Sequence, residues 1–158
     1  MLRITDQYFW NFVFGFFFFV LVVMGAIILE GEARLQWTDL TTVDYVLMTL
    51  AIWRLTQLFV YDSITKFFRE QFWDIKKVGK GYQLEKPPFG PRRTLADLLS
   101  CPWCIGLWMA ATVLFFYLLT SYAVFPVALL ALASVASFLQ LLSNLLGQKT
   151  EQIKNVKE

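Results

Sequence analysis

Cys101 and Cys104 are the two cysteines of the chain, and they stand in Ser100-Cys101-Pro102-Trp103-Cys104-Ile105-Gly106-Leu107-Trp108, where a polar stretch turns apolar. Three readings fit the pair. Sulfurs at this spacing can bridge, and at a helix start the exposed amides and the positive end of the dipole favour a thiolate, so redox chemistry is open. Against it, the alternating strands and helices of a thioredoxin are missing. So is a second cysteine pair through which a quinone-linked membrane oxidoreductase would pass electrons. A structural zinc needs four ligands, of which the pair supplies two, so that site would need a dimer or a partner's ligands. The third reading is packing. Two soft side chains fill a turn, Trp103 and Trp108 join an interfacial aromatic belt, and Gly106 permits a close helix crossing. The chain has no histidine, which excludes Ser-His, Cys-His and His-zinc chemistry within one chain. No catalytic set emerges, and no cofactor is expected.

Two further residues carry charge into apolar sequence. Arg54, in Trp53-Arg54-Leu55-Thr56-Gln57, costs about 2.5–3.5 kcal/mol at a bilayer centre, so it calls for a partner. A carboxylate or helix-end carbonyls on a neighbouring helix are expected, with an anionic lipid or ligand as the alternative. Asp44, in Thr41-Thr42-Val43-Asp44, reads as half of a capping box, with a buried functional carboxylate as the rival. If the chain is a small transporter or pore, Arg54 and Gln140 would line the path.

The elements that must position these residues are apolar helices. With 58% hydrophobic and 18% aromatic residues and only 16% charged, the chain suits a bilayer rather than water. A net charge of +2 gives no reason to expect nucleic acid. The expected class is all-α: one membrane domain over residues 1–158, with four transmembrane helices near 8–29, 42–61, 102–120 and 126–146 and an amphipathic surface helix. The first run exceeds a signal core, and Glu30-Gly31-Glu32 follows where a cleavage site would be wanted. Asn11, Gly15 and Gly25 share a face expected to meet other helices. Gly106 and Ala110 do the same in the third span. In the fourth, which Pro126 opens, Ala133, Ser137, Gln140, Asn144 and Gly147 form a small and polar stripe fit for packing in a bundle.

Between spans two and three lies the loop 62–100. Ile64, Phe67, Phe68, Phe72 and Ile75 share one helical face over Ser63–Lys77, the pattern of a basic surface helix. Val78–Arg93 reads as a loop punctuated by glycine and proline, in which Arg92 and Arg93 face water or lipid head groups. Thr94-Leu95-Ala96-Asp97 reads as a second capping box, with a break at Pro102 and Ser100 capping the next helix. The loop carries Lys66, Arg69, Lys76, Lys77, Lys80, Lys86, Arg92 and Arg93, against Arg34 in the first link and no base in the link between spans three and four. The positive-inside rule then puts both termini and the cysteines in the cytoplasm, with a charged tail over 147–158.

Arg54 with its neighbours, Asp97-Leu98-Leu99 and Cys101-x-x-Cys104-x-Gly106-x-Trp108 together resemble a family of small membrane proteins found especially in Bacillus relatives. The likeness runs from about Asp44 to the third span. It implies a bacterial cytoplasmic membrane protein and groups Arg54, Gly106 and Trp108 with the cysteines, beside which Asp97, Pro102 and Trp103 are further structural or functional candidates. The family is a domain of unknown function with some members linked to sporulation, so no reaction comes with it. The expected role is a non-enzymatic subunit or scaffold in the lipid bilayer that binds a membrane protein partner or itself.

Overall fold

The computed structural model of the chain describes residues 2–78 and 81–157, with side chains for residues 7–74 and 85–150. In chain order the elements are α1 (Leu2–Glu32), α2 (Thr42–Val60), α3 (Lys66–Glu70), β1 (Asp74–Val78), β2 (Gly81–Glu85), α4 (Pro91–Ser100), α5 (Pro102–Leu119) and α6 (Val124–Lys157). The all-α class holds: α1, α2, α5 and α6 are long and apolar enough to cross a membrane.

α2 is the central helix, packed along both α5 and α6, while α1 leans on α5 and α4. One core joins Met48 and Ala51 of α2 to Val113 and Tyr117 of α5 and Val127 of α6. A second, under α4, joins Val60, Leu99 and Ile105. α1 is loosely held: among its described side chains only Leu29 is buried. Its ends are nevertheless pinned. Gln7 Nε2 donates to Thr94 Oγ1 at 2.8 Å, and beyond its C-terminus the Arg34 amide donates to the Leu118 carbonyl at 3.0 Å. α1 and α5 therefore run parallel.

Local chemistry explains the helix ends. Thr41 caps α2 as expected, its amide donating to Asp44 Oδ2 at 2.9 Å and its hydroxyl accepting from the Asp44 amide at 3.4 Å. Tyr117 adds a hydroxyl donor to the other oxygen of Asp44, a tie from α5 that sequence spacing does not reveal. At the far end of α2 the orphan carbonyls are met from the following turn. Thr65 Oγ1 donates to Leu58 O at 2.5 Å, and Arg69 donates to Val60 O.

Between α2 and α5 the fold departs from expectation. The surface helix is one short piece: a 3₁₀ turn over Ser63–Thr65 and five residues of α3. The chain then turns into an antiparallel hairpin pairing Asp74 with Glu85 through to Val78 with Gly81. Tyr82-Gln83-Leu84 alternates apolar and polar at strand spacing, while Ile75-Lys76-Lys77-Val78 keeps a helical spacing that pairing with β2 overrides. α4 starts three residues before Thr94, because Gly90 adopts φ +96° and Pro91 occupies the first helical position. Thr94 thus lies inside the helix, buried, and is no cap. Ser100 is no cap either: its hydroxyl turns back to Ala96 O at 2.5 Å, and Cys101 caps α5. α6 continues through the expected tail to Lys157.

Candidate functional site

The chemistry-bearing residues gather where α4 meets α5. A single extended residue, Cys101, separates the two helices, and Pro102 opens α5 because its missing amide hydrogen would be an orphan there anyway. Cys101 Sγ takes the place of the usual cap oxygen and accepts from the Cys104 amide at 3.4 Å. The two thiols are free, with sulfurs 2.8 Å apart, Cys104 exposed and Cys101 half-buried. The Cys104 thiol donating to Cys101, then the Cys104 amide, hold the Cys101 thiol below its ordinary pKa against the opposing effect of burial. The thiolate form of Cys101 is thereby favoured.

Beside the thiols lies a cleft of about 610 Å³, lined by Asn11, Gly15 and Phe18 of α1, Lys86, Thr94 and Asp97, the two cysteines and Trp108. Its polar wall is knit together. Thr94 Oγ1 donates to Asn11 Oδ1 at 3.1 Å and accepts from Gln7. Asp97 holds Lys86 at 2.8 Å and Arg93 at 3.6 Å, two cations on one carboxylate. Half-exposed pairs of this kind contribute about 0–1 kcal/mol each and set position more than stability. The opposite wall is aromatic, with the Trp108 ring tilted 51° against Phe18 at 4.7 Å between ring centres.

The other sequence candidates fall at several places. Arg54 pairs with Asp62 at 2.9 Å, just past the end of its own helix, rather than with a neighbouring helix. Arg92 and Arg93 hold Asp74 at 3.1 Å and Pro88 O at 3.0 Å, tying the loop to α4. Gly106 faces Thr56 of α2, and Gly25 faces Phe115 of α5, whereas Gly15 faces the open cleft with nothing within 4 Å of a built Cβ. Pro102 stands at the first position of α5 and Trp103 is 88% exposed. Of the stripe on α6, Ala133 and Ser137 are half-buried, but Gln140, Asn144 and Gly147 face outward. The buried side of α6 runs through Val127, Ala131 and Ser134 instead. Sequence reasoning missed Gln7 and Tyr117, whose partners lie 87 and 73 residues along the chain, and it missed the pairing of Lys86 with Asp97. Among the described residues no group of three or more Cys, Asp and Glu converges as a metal site.

Residues 47–143 match a family described as a protein of unknown function, DUF1360, leaving α1 outside the match. Two proteins of Bacillus subtilis (strain 168) are similar. UPF0713 protein YngL is 32% identical over 104 residues, covering 64% of this chain and 78% of that protein. Sporulation protein YjcA is 36% identical over 109 residues, covering 61% of this chain and 87% of that protein. No solved structure matches.

Proposed function

We infer that this chain, which belongs to the DUF1360 family, is a multi-pass protein of the bacterial cytoplasmic membrane that works as a non-enzymatic component, binding a membrane partner or a second copy of itself. The observation that carries this reading is the second half of α6. From Val135 to Thr150 no residue of the helix is buried, and Leu141, Leu142, Leu145 and Leu146 stand exposed beside Gln140 and Asn144. α5 has 18 residues and α6 has 34, about 27 and 51 Å long, so α6 outruns the helix it returns beside. An overhanging helix with leucines and side-chain amides gains both apolar burial and hydrogen bonds from a second helix laid against it. The basic residues between α2 and α5 support a cytoplasmic placement of that end and of both termini.

The test is cross-linking and mass measurement of the chain in nanodiscs and in native membranes. A dimer or a partner complex, lost in Gln140→Ala/Asn144→Ala/Leu145→Ala, is expected. A chain that stays monomeric and cross-links to nothing through α6 sinks the reading. Labelling Cys104 with an impermeant maleimide checks the orientation, since reaction only after permeabilisation is expected.

Thiol exchange is a second reading, favoured by the contact between an exposed Cys104 and the lowered thiol of Cys101. In that case Cys104→Ser traps a mixed disulfide on Cys101. No trapped species under oxidising conditions removes it.

A further inference from the structure

The cleft at the α4–α5 junction does not end there. Phe18 and Trp108 also line an apolar groove of about 340 Å³ that continues between α1 and α5 as far as Leu29 and Trp37. Together they make one trough, and three of its properties restrict what fits. The first is length. From Asn11 to Leu29 is 18 residues of α1, about 27 Å at 1.5 Å per residue. One leaflet of a hydrocarbon core about 30 Å thick offers about half that depth.

The second property is one-sided polarity. Asn11, Thr94 and the Lys86–Asp97 pair crowd one end, while no charged residue lines the other. A lipid entering from the far leaflet would find no charged partner for its head group. The third is charge balance: the charged residues that line the polar end are Lys86 and Asp97, already paired with each other at 2.8 Å. A phosphate there would have to displace a carboxylate, whereas a carbonyl or hydroxyl would find the amide NH₂ of Asn11, whose Oδ1 is the atom that Thr94 and Gln7 engage.

We propose that the trough binds a long isoprenoid lipid with a small uncharged head of the quinone type, head at the α4–α5 junction and tail between α1 and α5. A phospholipid tail reaches through one leaflet only and brings the wrong charge. The proposal rests on the helices lying in a bilayer, and not on the α6 contact or on the thiols.

The probe is ubiquinone-10 added to the delipidated full chain in nanodiscs, with binding read by native mass spectrometry. One ubiquinone per chain is expected, with at least tenfold weaker binding of ubiquinone-2, undecaprenyl phosphate and phosphatidylglycerol. Gly15→Leu fills space in which a Cβ meets nothing within 4 Å, so the fold should survive while binding falls at least tenfold. Phe12→Leu, on a residue that is 70% exposed, should bind like the parent. Equal binding of ubiquinone-2 or of phosphatidylglycerol, or unimpaired binding in a folded Gly15→Leu, overturns the proposal. Equal binding of undecaprenyl phosphate overturns the uncharged head. A chain that washes off membranes in alkali fails the bilayer placement itself, a result separable from an inserted chain that binds no ubiquinone.

Discussion

Asp62→Asn should destabilise the protein more than Arg54→Met does, although both substitutions break the same ion pair. The backbone of Arg54 lies seven residues before Tyr61, about 10 Å inside the helix end, its side chain runs along the helix to Asp62, and that side chain is 22% exposed. Asp62 lies beyond the helix end, and its side chain is 33% exposed. At 2.9 Å the pair falls between exposed ion pairs, which contribute about 0–1 kcal/mol, and buried ones, whose one-sided truncation costs about 3–5 kcal/mol. Removing the carboxylate strands a cation among apolar side chains, for an expected loss of about 1–3 kcal/mol. Removing the cation strands a carboxylate that water can reach, and Met fills the vacated space, so the loss should be below about 1 kcal/mol. The double variant should be no worse than Arg54→Met alone. Unfolding by sodium dodecyl sulfate in mixed micelles, run as a double-mutant cycle, measures all four corners. Simple additivity, or an Asp62→Asn protein as stable as the parent, would refute the argument that Asp62 is there to neutralise Arg54.

Other expectations follow from single contacts. Ser134 is wholly buried with no partner for its hydroxyl, so Ser134→Ala should leave stability unchanged or raise it by up to about 1 kcal/mol in the same assay. Gly106→Ala should be tolerated, since the new methyl would meet Thr56 at an ordinary 3.6 Å, whereas Gly25→Leu drives into Phe115, which already lies 3.3 Å from a built Cβ, and should lower the melting temperature. Because hydrogen bonds from Cys104 hold the Cys101 thiol low, its alkylation should reach half-maximal rate below the pH of an ordinary thiol. Cys104→Ala removes the largest of those hydrogen bonds and should move the midpoint up; a midpoint that stays put would reject that cause.

The four long helices and the Thr41 cap are legible because they depend on near neighbours: a run of apolar residues of bilayer length, or a hydroxyl and a carboxylate three apart. The α4–α5 junction misleads for a physical reason. Thr94-Leu95-Ala96-Asp97 has the composition of a capping box, but Gly90 and Pro91 start the helix first, and the freed Thr94 hydroxyl goes to Asn11 in α1. Cys101 takes the capping role that Ser100 suits better by residue type, because Pro102 fixes where the new helix begins. In Ser63–Lys77 a helical spacing of apolar residues overlaps a strand, and pairing with Gly81–Glu85 decides the second part. Nor does the α6 pattern tell which stripe is buried. Ser137, Gln140 and Asn144 have the residue types of a packed face, yet α2 receives the side that carries Ser134.

With one extended residue between α4 and α5, the joint at Cys101 has almost no slack. Lys86 on Asp97 and Arg92 on Asp74 fasten the hairpin region to α4, so this end of the molecule is braced against the helix that abuts α5. A bilayer that thickens or thins changes the tilt of its helices. Any tilt of α5 must then swing α4 and the hairpin as a crank arm. With the helices in a bilayer, the angle of the short cap would follow the tilt of α5, and Cys101 stands at the pivot.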